Sequence, residues 1–316
     1  MTVSEATPSA RGYAAALGAA ALLSTTAVFI RHLTLTYGLP ALVLAFWRDV
    51  FTVATLAAVL ALVRPALLRV ERRHLGFLAA YGVMLAVFNA MWTLSVAYNG
   101  AAVATVIADC SAAFTVLLAW ILLREALNWG KVIAVAMSIT GCVLVADALD
   151  PAAWAINPIG IATGVMSALT YAGYGLMGRA ASQRGLDPWT SLLYTFAFAT
   201  VVLLGINLLP GEVVPGGAIE VGDMLWLGAA WVGWGVLFLL GAGPTVGGFG
   251  LYNVSLSLLP SSVANVIVTM EPAFTAVTAY IFLGERLTLT QGLGAVLVIG
   301  GVVFLRVYEA RTRISQ

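Results

Sequence analysis

The chain has 316 residues, of which 61% are hydrophobic and only 9% charged, with a formal net charge of +1. A soluble domain carries about a quarter charged residues, so this chain lacks the charge to cover a water-facing surface, and lipid must solvate most of it. The near-zero net charge points to no nucleic-acid partner; where the cations sit matters more than their sum.

A spanning helix needs about 20 mostly apolar residues. Read along the chain, that length predicts ten spans, over 12–30, 40–62, 75–98, 102–123, 132–146, 158–181, 188–209, 235–258, 262–283 and 292–307. The expected class is therefore all-α integral membrane. Gly38-Leu39-Pro40, Asp150-Pro151, Asn157-Pro158, Asp187-Pro188 and Leu209-Pro210-Gly211 punctuate the breaks. The first run is too long, and its flank (Arg11 alone) too weakly basic, for a cleaved signal. Residues 222–259 admit two readings. Trp226, Trp231 and Trp234 suit a headgroup belt, so 224–234 reads as a short interfacial helix leading into the eighth span. The rival is one long helix bent at Gly243-Pro244.

Cytoplasmic loops retain Lys and Arg. With the N-terminus inside, the inner loops collect Arg11, Arg64, Arg69, Arg72, Arg73, Arg124, Lys131, Arg179, Arg184, Arg306, Arg311 and Arg313. The outer side receives Arg31 and Arg286, and Arg48 lies within a helix. This bias predicts both termini in the cytoplasm, and the acidic loop of Glu212, Glu220 and Asp223 falls outside, in agreement.

The chain also repeats itself. Ala113-Phe114-Thr115 recurs 160 residues later as Ala273-Phe274-Thr275. At the same shift Val103-Ala104 meets Val263-Ala264, Ala119 meets Ala279, Glu125 meets Glu285, Leu127 meets Leu287 and Gly141 meets Gly301, without a gap. Earlier helices align more weakly, near a shift of 148, where Arg31 meets Arg179 and Pro40 meets Pro188. Two repeats are expected, 1–150 and 151–316, within one membrane domain. Five helices per repeat is an odd number, so the second inserts upside down. Inverted repeats of this kind build carriers whose site lies between the halves near the midplane.

Two five-helix repeats, closed by Leu123-Arg124-Glu125-Ala126-Leu127 and Leu283-Gly284-Glu285-Arg286-Leu287, resemble the drug/metabolite transporter superfamily, EamA type. Met270-Glu271-Pro272, Phe46-Trp47-Arg48 and the pair Thr245 and Tyr252 add to the resemblance, which covers nearly the whole chain. Asp109-Cys110-Ser111 departs from it, standing where that family commonly has Pro. The resemblance is nearest to the bacterial aromatic amino-acid exporters of that superfamily. It implies a secondary carrier in the bacterial inner membrane, exporting aromatic amino acids or similar amphipathic metabolites by alternating access, with no cofactor. Carriers of sugar derivatives or nucleotide sugars, and a non-transporting receptor subunit, are the alternatives.

Polar groups at membrane depth are candidates for function. Thr105 and Asp109 share one helix face, as do Asn265 and Thr269 at the equivalent place in the second repeat. Asp109 and Glu271 are the candidates for coupling, with simple packing roles as the competing reading. Phe88, Trp92, Tyr98, Tyr171, Tyr174 and Tyr252, with the amides of Asn89 and Asn253, predict a wall of rings for flat solutes. Arg48 and Asp49 read as a structural pair or interface anchor. No inward Lys or Arg pair that would hold a phosphate is evident. The expected partners are a small-molecule substrate and membrane lipid, and oligomeric state stays open. Cys110 and Cys142 read as packing residues; with His32 and His74 at segment ends, no metal site is expected. The absence of a Walker-type loop or a nucleophile–base pair argues against ATP use and against an enzyme.

Overall fold

The computed structural model describes residues 10–124, 127–147, 149–152, 157–209, 215–259 and 261–314, so Glu125 and Glu212 lie outside the described residues. Among the described residues the chain is helical, with no strand. In order come α1 (Ala10–Tyr37), α2 (Ala41–Val63), α3 (Arg72–Asn99), α4 (Ala101–Asp109), α5 (Ser111–Leu123) and α6 (Trp129–Val145). There follow α7 (Pro158–Gln183), α8 (Pro188–Asn207), α9 (Trp231–Leu240), α10 (Phe249–Leu258), α11 (Ser261–Val268), α12 (Glu271–Leu283) and α13 (Leu289–Ile314). Among the described residues, eight runs are long and apolar enough to cross a bilayer: α1, α2, α3, α4–α5, α7, α8, α9–α10 and α13. Two further apolar helices, α6 and α12, are shorter than that length. The chain is a multi-pass membrane protein.

The punctuation acts through backbone chemistry. Pro158 and Pro188 open α7 and α8, where a missing N–H costs nothing. Asn157 accepts from Gly160 N at 2.9 Å, and Asp187 from Trp189 N at 2.8 Å, so each caps its helix. Arg124 and Gly284 end α5 and α12 in the left-handed region, with φ of 54° and 67°. These positions are 160 apart, as are the starts of α4 and α11, of α5 and α12, and of α6 and α13. The breaks also correspond: the chain turns at Cys110 in one half and at Thr269-Met270 in the other.

The interfacial-helix reading of 224–234 gives way to its rival. A 3-10 turn covers Val221–Leu225, and helix then runs from Trp231 to Leu258. Inside that run, Gly241–Gly248 widens to π geometry around Pro244. Proline cannot donate to the preceding turn, and the wider pitch absorbs the defect without ending the helix. The tryptophans are fixed individually instead. Trp226 Nε1 donates to Tyr37 O at 3.0 Å, and Trp234 Nε1 to Gly228 O at 3.1 Å.

In lipid, apolar side chains gain little from meeting one another, so small residues that allow close backbone approach hold helices together. At the α6–α13 contact, a Cβ added at Gly141 would lie 2.6 Å from Gly294 O, and one at Gly294 would lie 2.7 Å from Gly141 O. Larger side chains cannot enter there. The main buried apolar cluster lies elsewhere, joining α1, α2, α3, α4, α8 and α9, and includes Ile30, Leu42, Leu56, Leu94, Leu203 and Leu237.

Candidate functional site

Between these helices lies a cavity of about 990 Å³, at the upper end of the range for small-molecule sites. α3 supplies Phe88, Asn89 and Trp92; α4 supplies Thr105 and Asp109; α7 supplies Tyr171 and Tyr174. Tyr252 of α10, Thr269 and Glu271 complete the predicted residues that line it. Two predicted residues do not reach it. Tyr98 lies six residues beyond Trp92, about 9 Å further along the helix, and is half exposed, with its carbonyl accepting from Asn157. Asn253 is rotated away from Tyr252 by one helical step, and its Nδ2 donates to Phe249 O of its own helix at 3.0 Å. The side chain of Asn265 lies outside the described residues.

The rings form a continuous wall. Trp92 stacks on Phe88 with centroids 6.1 Å apart, Phe88 on Tyr171 at 4.7 Å, and Tyr171 on Tyr174 at 6.3 Å. Tyr174 continues to Tyr81 at 4.6 Å. Each of Phe88, Trp92, Tyr171 and Tyr174 is visible as an aromatic position in the sequence, but only the packing of α3 on α7 turns them into one surface. Asn89 is 2% exposed and commits its Nδ2 to Asp49 at 2.7 Å, so it organises a neighbour while lining the cavity. Thr105 donates to Ala101 O at 2.8 Å, satisfying its hydroxyl within its own helix.

Several lining residues were not anticipated. Arg48 is buried and faces the cavity beside Trp92 instead of reaching for the interface. Lys131, Arg179 and Arg306 also line it. No inward Lys or Arg pair was evident in the sequence, yet these cations reach the lining because they lie on helical turns that continue to the cavity wall. α6 and α13 contribute Lys131, Val302 and Arg306.

The cavity has two unlike ends. At one, the described lining reaches the exposed residues Asn128, Arg179 and Arg306. Toward the other, it stops at Trp92 on α3 and Thr105 on α4. Beyond that point Glu285 fills the gap, accepting from Ala101 N at 3.0 Å and from Ala102 N at 3.1 Å, and so capping α4 with a carboxylate. Arg31 pairs with Glu285 at 3.4 Å, and its Nη1 donates to Ala97 O. Gly100 makes the fit possible: its φ is 88°, and a Cβ there would lie 2.8 Å from Glu285 Oε1. Asn157 and Asn99 link α7 to α3 at the same end, Asn157 Nδ2 donating to Asn99 Oδ1 at 2.8 Å and Asn99 Nδ2 to Gly160 O at 2.7 Å.

Comparison with known proteins agrees with this architecture. The sequence matches the EamA-like transporter family over residues 10–146 and again over 158–307. An uncharacterized transporter of Archaeoglobus fulgidus is 26% identical over 296 residues, covering 92% of this chain and 95% of that protein. Another from Synechocystis is 28% identical over 236 residues, covering 72% and 65%. The threonine/homoserine exporter RhtA of Salmonella typhimurium is 38% identical over 87 residues, or 27% of this chain and 28% of that protein. A crystal structure superposes with a TM-score of 0.59 over 95% of this chain and 98% of the other, at 16% identity, a likeness of fold. A multi-pass helical protein with a deep cavity, matched by this family over residues 10–146 and 158–307, this chain belongs to the EamA-like transporter family of the drug/metabolite transporter superfamily.

Proposed function

We propose that this transporter is a secondary carrier exporting aromatic amino acids, or similar amphipathic metabolites, across the bacterial inner membrane by alternating access. The observation that carries the substrate reading is the stacked wall of Trp92, Phe88, Tyr171 and Tyr174 inside the cavity. Such a surface takes flat solutes face to face. Asp109 and Glu271 supply carboxylates on the same cavity, which hold an amine or carry a coupled proton.

The proposed architecture is ten spans in two inverted five-helix repeats, 1–150 and 151–316, with both termini cytoplasmic. Supporting it are the equivalent breaks 160 residues apart and the two stretches matched by the family. On this topology the open end of the cavity faces the cytoplasm and the Glu285 end faces outward. Cysteine labelling checks the orientation: Arg72→Cys should react only from the cytoplasmic side and Glu220→Cys only from outside.

Flux of labelled phenylalanine, tryptophan and threonine in proteoliposomes tests the function. Trp92→Ala and Tyr171→Ala should each weaken the aromatic substrates by about 1–3 kcal/mol, the scale of a large buried apolar contact, and spare threonine. The partial likeness to RhtA favours a second reading, a smaller aliphatic amino acid. Threonine flux that exceeds aromatic flux and survives both substitutions would select that reading.

A further inference from the structure

Arg48 is the buried cation among the described residues that line the cavity, and the transport reading leaves it unused. It lies seven residues into α2 and is 3% exposed, although a side chain of its length at that depth has a route to the interface. Two constraints hold it inward. Its Nε and Nη2 both donate to Asp49 Oδ1 at 3.2 Å, while Asp49 Oδ2 accepts from Asn89 at 2.7 Å. Its guanidinium carbon stands 5.8 Å from the centroid of the Trp92 ring.

This arrangement spends only part of the group. A guanidinium has five N–H donors, and Asp49 takes two of them. No hydrogen bond among the described residues engages Nη1, and Arg48 lines the cavity. A purely structural ion pair has no reason to hold that edge toward a solute-sized space beside a stacked aromatic wall. Asp49 also balances the charge, so Arg48 is not a lone buried cation. Asp49 and Asn89 act as positioning residues that fix the angle of the fork.

We infer that Arg48 is the carboxylate receptor of the cavity, and that the transported solute is an aromatic or amphipathic carboxylate. Its anion meets the free guanidinium edge, and its ring lies along Trp92, Phe88 and Tyr171. The planar fork suits a carboxylate, which accepts two parallel N–H bonds. This inference rests on the reading of the cavity as a substrate site, but its test separates from flux.

Binding to the purified full-length protein is measured by calorimetry with three probes sharing one ring: phenylalanine, phenylalaninamide and 3-phenylpropionate. The wild-type protein should bind both acids at least about tenfold more tightly than the amide, the scale of a charge-assisted hydrogen bond. Arg48→Gln should lower acid affinity to that of the amide, and Arg48→Lys should recover part of the preference. The wild-type comparison needs no variant, so a folding defect in Arg48→Gln cannot mask the outcome. Equal binding of acid and amide by the wild-type protein, or no binding of any probe, overturns the assignment. Acid-selective binding that Arg48→Gln abolishes, without flux of the same acids in proteoliposomes, supports Arg48 and overturns the proposed export of aromatic amino acids instead.

Discussion

The two ends of the cavity are built from the same kinds of element and behave differently. At the sealed end, the last turn of α3, the first turn of α4 and the second residue after α12 meet within hydrogen-bond distance, locked by Glu285, Arg31 and Gly100. At the open end, Asn128, Lys131, Arg179 and Arg306 line a mouth that the described side chains do not close. On the proposed alternating-access reading, the contrast marks the ends at which the motion would act. A charged cap on a helix N-terminus can form or break as a unit, because its bonds share one carboxylate. Closing the open end requires helices to move together.

Removing the cap should break this contrast most. Glu285→Gln keeps the shape but discards the ion pair and both charge-assisted bonds to α4. Hydrogen bonds to charged groups contribute about 1.5–3 kcal/mol each, so the outward opening should gain at least about tenfold in population. A cysteine placed at Thr105 should then label from outside, where in the parent protein it should not. Unchanged labelling would show that the seal lies elsewhere. Gly100→Ala acts on the same lock through the backbone, since it strains a φ of 88° and pushes on the Glu285 carboxylate. About 1–3 kcal/mol of strain should loosen the same end, visible as faster labelling with a smaller change than Glu285→Gln.

The open end should respond gently. Arg306 is exposed at the mouth, so Arg306→Gln should alter apparent affinity for a charged solute by less than about 1 kcal/mol, and added salt should erase the difference. A large, salt-insensitive loss would instead place Arg306 in direct contact with the solute.

Much of the helical layout was legible because length, hydropathy and Pro or Gly punctuation act locally. The 160-residue shift, read from Phe114 and Phe274, reappears as equivalent helix starts and left-handed caps at Arg124 and Gly284. What was not legible depends on neighbours. Arg48 has the same sequence context whether it snorkels or turns inward; Asp49, Asn89 and Trp92 decide it. Tyr98 and Trp92 are equally aromatic, yet only Trp92 lies on the cavity side of the seal. Residues 222–259 could be an interfacial helix leading into a span or one long helix bent at Gly243-Pro244, because a π turn leaves no compositional mark.

That π turn bears on the rhythm of transport. α3 is an unbroken α-helix from Arg72 to Asn99, while the run 159 residues later, Trp231 to Leu258, carries the wide turn at Gly241–Gly248. If the two halves exchange conformations during a cycle, α3 must accept a curvature for which it has no proline, and the later run must straighten around one it cannot lose. On the proposed alternating-access cycle, the forward and return swings would then not be mirror images in energy, and one resting state would be preferred before any solute binds.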